Sequence, residues 1–283
     1  VISQGFKAPT DLQLLGGYSE IAVTSPINYT EIVYLLNMIV TGVITTPSGG
    51  TNSRRHTFSP TVQGTDAFKT LTVQEGDATA ATQAAGVFLA NWGFSAADGG
   101  LNMTAQLMGR YPTAVSLTGS PTSIAQLTAS PREIDLYIDP TFGALGTTKV
   151  TDALNVDYGI NDKQGMKWVL NTTFASYSES IETRPTQTFS FVTEHNAQSR
   201  TLFAGISTGN PLQYMRMKST GPIIEAAIPY LFQFDIPVKI KATEQVDADG
   251  QVWGYRYDLT PRYDATFGNK LWEIQVQNTI TAL

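Results

Sequence analysis

The sequence contains no cysteine. That excludes a disulfide framework, a thiol nucleophile and every Cys-ligated metal site. Histidine is nearly as scarce, with His56 and His195 the only two. They share no ligand spacing, and a hydrolytic triad needs a histidine set between a carboxylate and a nucleophile. His56 falls in a polar stretch, and a solvated or capping role is expected for His195, just before a predicted helix. Charge is low as well: Asp, Glu, Lys and Arg make up 15% of the 283 residues, against roughly 25% in ordinary soluble domains. The formal net charge is −6 and the pI is about 4.9. The clustered Lys and Arg of a nucleic-acid-binding surface are missing. The one adjacent basic pair, Arg54-Arg55, reads as solvated loop. Long hydrophobic runs are absent too. The stretch from Ile32 to Ile44 is broken by Asn37, Thr41 and Gly42, far short of the ~20 residues of a membrane span, so no membrane partner is expected.

Phosphate-cradling motifs are also lacking. Ser48-Gly49-Gly50 is not followed by Lys-Ser/Thr. Asp247-Ala248-Asp249-Gly250-Gln251 resembles the start of a calcium loop, but its twelfth position falls on Asp258 instead of Glu. It reads better as a hairpin turn. These absences together lead to an expectation of no catalytic residue, no cofactor and no metal.

What the chain does have is alternation. Hydrophobic residues make up 42%, enough for a sizeable core. Leu101 to Leu107 is apolar at every odd position, and Leu212 to Met217 and Leu271 to Val276 behave similarly. Val87 to Phe94 and Tyr230 to Ile240 are mostly apolar and read as strands with a covered face. Asp98-Gly99 and Asp249-Gly250 punctuate two hairpins, Asp-Gly being suited to tight turns. Two helices are expected. One covers 30–41, capped by Asn28 or Thr30 and stopped at Gly42. The other covers 196–207, with Leu202, Phe203 and Ile206 on one side, and is broken by Gly209-Asn210-Pro211. Gln74 to Ala85 is Ala-rich and admits a short helical turn. Residues 45–66 and 112–131 read as long polar loops, and loops of that length usually carry function. The many Thr, Ser, Gln and Asn residues give a polar surface that is cheap to desolvate and suits subunit contacts. Trp253, Tyr255 and Tyr257 share one strand face. That face fits a sugar-stacking platform or, as the plainer reading, cross-strand aromatic pairing.

A weak internal repeat is visible. Helix, strand, Asp-Gly turn, strand and an Arg/Tyr/Pro ending occur in that order twice, about 150 residues apart. The endings are Arg110-Tyr111-Pro112 and Pro261-Arg262-Tyr263. The chain therefore divides into two related halves, residues 1–133 and 134–283, each expected to be mainly β with one flanking helix.

The order of several segments resembles the major tail (tail tube) proteins of siphoviruses, the long-tailed bacterial viruses. They are the helix at Glu31-Ile32-Val33-Tyr34-Leu35-Leu36, then His56-Thr57-Phe58-Ser59-Pro60, then Leu71-Thr72-Val73-Gln74-Glu75-Gly76-Asp77. Met108-Gly109-Arg110 and Leu136-Tyr137-Ile138-Asp139 follow, and Trp272-Glu273-Ile274-Gln275-Val276-Gln277-Asn278 lies toward the C terminus. The resemblance implies β-sandwich or barrel tube domains, one per half. It implies a virion structural protein, not an enzyme, that polymerises as stacked rings into the tail tube. Such a tube assembles in the host cytoplasm and lets DNA pass without binding it. Tape-measure, tail terminator and distal tail proteins would be its other partners. Two tube domains per chain favour a trimeric ring with pseudo-sixfold symmetry over a hexamer. Ring-to-ring contact is expected from the 45–66 loop, through Ser48, Gly49, Gly50, Asn52, Arg54 and Arg55. No lumen-facing residue is assigned. The competing expectation is a carbohydrate-binding β-sandwich module of a virion or secreted protein.

Overall fold

The computed structural model describes residues 17–77, 79–117, 126–170, 176–248 and 252–283. In chain order the first half contains β1 (Tyr18–Pro26), α1 (Ile32–Ile39), β2 (Val43–Thr45), β3 (Arg54–Phe58), β4 (Leu71–Gly76), β5 (Ala81–Ala97), β6 (Gly100–Arg110) and β7 (Thr113–Val115). The second contains β8 (Ile134–Asp139), β9 (Lys149–Val150), β10 (Ala153–Asn161), β11 (Gln164–Lys167), β12 (Glu179–Glu182), β13 (Thr186–Glu194), α2 (Ala197–Ser207), β14 (Gln213–Glu225), β15 (Ile228–Ala248), β16 (Val252–Pro261) and β17 (Glu273–Asn278). The fold is mainly β, as the alternation predicts.

One sheet folds over itself to make two layers. The first layer runs β1-β6-β5-β10-β13-β16-β15, every neighbouring pair antiparallel. The second runs β2-β3-β17-β15-β14-β8-β9. The 21-residue strand β15 belongs to both: its first part pairs with β14 and β17, and its last part pairs with β16. Phe234 of the second layer packs on Phe94, Tyr158 and Phe189 of the first, with ring centroids 5.2, 4.6 and 5.9 Å apart. Trp272 closes the same cluster and is fully buried. Each such side chain contributes roughly 1.5–3 kcal/mol by leaving water. The sheet runs unbroken across residue 133, because β5 pairs directly with β10.

Each helix follows a strand and precedes a long hairpin, and that strand pairs with the hairpin's return strand. The sets are β1, α1, β5–β6 and β13, α2, β15–β16. Helix α1 buries Ile32, Val33, Leu36, Met38 and Ile39 completely. It is shorter than its apolar pattern, and Asn28 holds the entry instead of capping it: its Oδ1 accepts from the Thr30 amide at 2.9 Å. Gly42 is not a left-handed stop. A Cβ there would lie 2.5 Å from the Phe58 ring, so the glycine serves close approach. Asn196 caps α2 by accepting from Ser199 N at 2.8 Å, which leaves His195 exposed beside Tyr255. Gly209 and Asn210 both take positive φ, ending α2 as the sequence predicts. In the β5–β6 turn the positive φ falls on Gly100, not on Gly99.

Two expectations fail. The described residues of 74–85 hold no helical turn. They form the β4–β5 hairpin, whose corner is made by Gly76 at φ +139° and by Asp77 accepting from Thr79 and Ala80 amides. The stretch 45–66 is not one long loop, since Arg54–Phe58 is strand β3, bonded to β2 and β17. His56 is therefore buried, not solvated. The strand leaves no sequence signal because its core-facing residues include a histidine, so no apolar alternation marks it.

Candidate functional site

Along the first layer, alternate side chains point into the core and away from it. Midway along the strands the outward set is mostly small and polar. One row crosses all seven strands in register: Pro26, Asn102, Ser95, Asp157, Ser190, Asp258 and Ala242. The next is Thr24, Thr104, Gly93, Gly159 and Thr188. The sheet is concave here, with one hollow of about 440 Å³ over β1, β6, β5 and β10. A second, of about 660 Å³, lies over β13, β16 and β15. Gly93 is needed for the close approach of strands: a Cβ would lie 2.6 Å from the Tyr158 carbonyl oxygen.

The polar groups on this face are tied to one another. The Asn91 amide donates to Gln106, and the Gln106 amide donates to Glu20, linking β5, β6 and β1. Asn91 Oδ1 accepts from Asp162 N at 2.9 Å. Arg256 Nε donates to Asp258 at 3.2 Å and stands opposite Glu244 in the register. Lys239 and Lys241 lie at the β15 margin, Lys239 just before the Ile240–Ala242 bulge and Lys241 within it. A surface whose side chains already satisfy each other offers few free donors to a passing anion.

At the lower end of the strands an arm covers this face. The β11–β12 hairpin lays Met166 and Tyr177 on Phe88, Ala90 and Met108. The Tyr177 hydroxyl donates to the Gly86 carbonyl at 2.7 Å, and Arg110 Nη2 donates to Ser178 O at 2.7 Å. The base of the arm is held by a buried ion cluster. Lys163 Nζ lies 2.8 Å from Asp66 Oδ2 and also contacts Glu182, while the Asp66 amide donates to Glu182 at 2.7 Å.

The six residues expected at a ring-to-ring contact sit on the β2–β3 connection. Ser48, Gly49, Gly50 and Asn52 lie in its turn, and Arg54 and Arg55 begin β3. The turn is folded against its own chain. Amides of Thr51, Asn52 and Ser53 donate to the Glu225 carboxylate at 2.7–2.9 Å, and the Ser53 hydroxyl joins them. These bonds, led by those from Ser53, hold the Glu225 pKa down at about 2. Arg54 Nη1 donates to Thr51 and Ser53 carbonyls, and Arg55 Nη2 to Gln277. The turn thus needs no second molecule to be ordered.

His56 Nε2 faces Asn278 Oδ1 and the Ile280 carbonyl, both at 3.0 Å. Two acceptors there place the proton on Nε2. Burial pushes the His56 pKa down, against a smaller upward pull from those two bonds. Among the described residues no group of three or more His, Asp or Glu could hold a metal ion. Tyr257 is fully buried, stacked on Phe191 at 4.9 Å and donating to Ser199 O. Tyr255 lies beneath Phe203 of α2. Only Trp253 of that aromatic face is open, at 70% exposure. Among the described residues no helix is long and apolar enough to cross a membrane. The chain matches no protein-family model, and a search of curated proteins returns no match.

Proposed function

We propose that the chain is a structural subunit whose copies close into rings and stack into a tube, with the concave polar face lining the bore. The observation that carries this reading is the seven-strand row from Pro26 to Ala242, lying between two unpaired strand edges. β1 pairs only with β6, and β15 beyond Val238 pairs only with β16, among the described residues. Long free edges invite another chain, and a closed ring removes both at once. Because all six pairings between them are antiparallel, β1 and β15 run the same way. A direct junction between copies is therefore a parallel pair.

Magnitudes favour three chains over six. With strands about 4.8 Å apart and tilted about 40°, twenty-one strands close a wall roughly 40 Å across at the backbone, and forty-two one roughly 80 Å across. The narrower bore suits a single DNA duplex. Its wall carries Glu20, Asp157 and Glu194 in the β1-to-β13 part. Of its cations, Lys239, Lys241 and Arg256 gather at the β15–β16 margin, and Arg110 at the lower end of β6 is bonded to the arm. Such a wall forms no array of phosphate contacts, so DNA slides without being trapped.

The tail-tube identity rests on the sequence resemblance. On that reading the protein resides in the virion tail after assembly in the host cytoplasm. It meets tape-measure, terminator and distal tail proteins, and has no enzymatic task. Electron microscopy of the concentrated protein tests the reading. Rings or tubes are expected, and a protein that stays monomeric at all concentrations contradicts it.

A further inference from the structure

Beyond β11, the described part of the arm carries an exposed apolar run. Trp168 is 51% exposed, Val169 45% and Leu170 fully exposed. Three consecutive apolar residues standing in water at the end of a hairpin are unusual on a finished surface. The base of the arm is built to hold it out: Lys163 is 1% exposed between two carboxylates, and Gln164 donates to the Met38 carbonyl of α1.

A matching recess lies on the same face of the same layer, at the other end of the strands. It measures about 260 Å³ and is lined by Ala97, Leu154, Val192 and Val246, with Asp98, Asn155 and Arg256 at its rim. All four apolar residues are half-buried. The arm tip lies near Gly86, through Trp168 on Tyr177 and Tyr177 on Gly86, whereas the recess is at Ala97. Eleven residues of one strand separate them, roughly 36 Å. The tip cannot reach the recess of its own chain.

We infer that the recess receives the Trp168–Leu170 tip of another copy, so that copies stack head to tail along the strands of the first layer. A knob and a socket on one face, displaced along one strand direction, form a heterologous contact that repeats without closing. Stacked rings need such a contact, and here this inference rests on the tube reading. It gives the ring-to-ring role to the arm in place of the 45–66 segment, whose turn is already occupied by Glu225. The tip offers its apolar side chains to Ala97, Leu154, Val192 and Val246, while the Lys167–Glu179 ion pair below the tip and Asp98, Asn155 and Arg256 of the recess supply polar partners around them.

The absence of native cysteine makes the test clean. A Leu170→Cys, Leu154→Cys double variant, assembled and mildly oxidised, should give a ladder of covalent oligomers on a non-reducing gel. Each single variant should give dimers at most. A double variant that yields no ladder, although unmodified protein forms tubes, overturns the inference and leaves the tube reading standing. Unmodified protein that forms neither rings nor tubes overturns both. Leu170→Asp gives a second measurement: at a fully exposed position it leaves the fold intact, and loss of tubes with retention of rings is expected. Normal tubes from Leu170→Asp count against the inference.

Discussion

His56 shows how one buried side chain sets a pH limit. Its folded pKa lies below the ordinary value of 6.5, with burial the largest cause. The unfolded chain therefore takes up a proton more readily than the folded one. The His56 contribution to stability is intact above 6.5 and declines as the pH falls from there toward the folded value. Urea midpoints should drop between pH 7 and pH 5.5, and His56→Gln should flatten that drop while lowering stability at pH 7. An equal drop in both proteins would assign the titration elsewhere. Glu225 acts in a separate window. With its pKa held at about 2 instead of 4.5, its contribution is present above 4.5 and fades on acidification below it. Neither role is visible in the sequence. His56 stands among Arg, Thr and Ser, and Glu225 is 172 residues from the Ser53 amide it holds.

Among the elements, those with a strong internal period were legible. The β6 alternation, the apolar stripe of α1 and the Gly209-Asn210 break of α2 all follow from local chemistry. What was not legible depends on partners distant in sequence. β3 is a strand because β17 lies beside it, more than 200 residues away. β4 and the start of β5 are extended because they pair with each other and β5 also pairs with β7, which overrides alanine's helical preference. The β11–β12 arm had no sequence signal, and its anchor joins Asp66, Lys163 and Glu182 from three places in the chain. Lys163→Ala leaves two buried carboxylates facing each other without a cation. Such a loss costs about 3–5 kcal/mol. Urea unfolding should show it, and hydrogen exchange should show the arm losing protection first. A change under about 1 kcal/mol, within the range of an exposed pair, would mean that the cluster is solvated in solution.

For the whole molecule, the candidate site is a sheet face, and no single residue type marks it in the sequence. No single residue of the row from Pro26 to Ala242 is distinctive. The property lies in seven strands aligning small polar side chains, and that alignment is set by register. The sequence did carry a trace of the arrangement in the repeated order of helix, strand, Asp-Gly turn and strand. The structure extends that order with the strand before each helix, which pairs with the hairpin's return strand. On the proposed reading, two such sets in one continuous layer would let three chains furnish six equivalent positions around a bore.

The most direct test is a cryo-electron microscopy reconstruction of the assembled protein, at a resolution that separates strands. The account predicts three chains per ring, joined through β1 of one copy and β15 of the next. Asn102, Ser95, Asp157, Ser190 and Asp258 should face the bore. Rings whose bore is lined by the other layer, with the concave face turned to the outside, would contradict it.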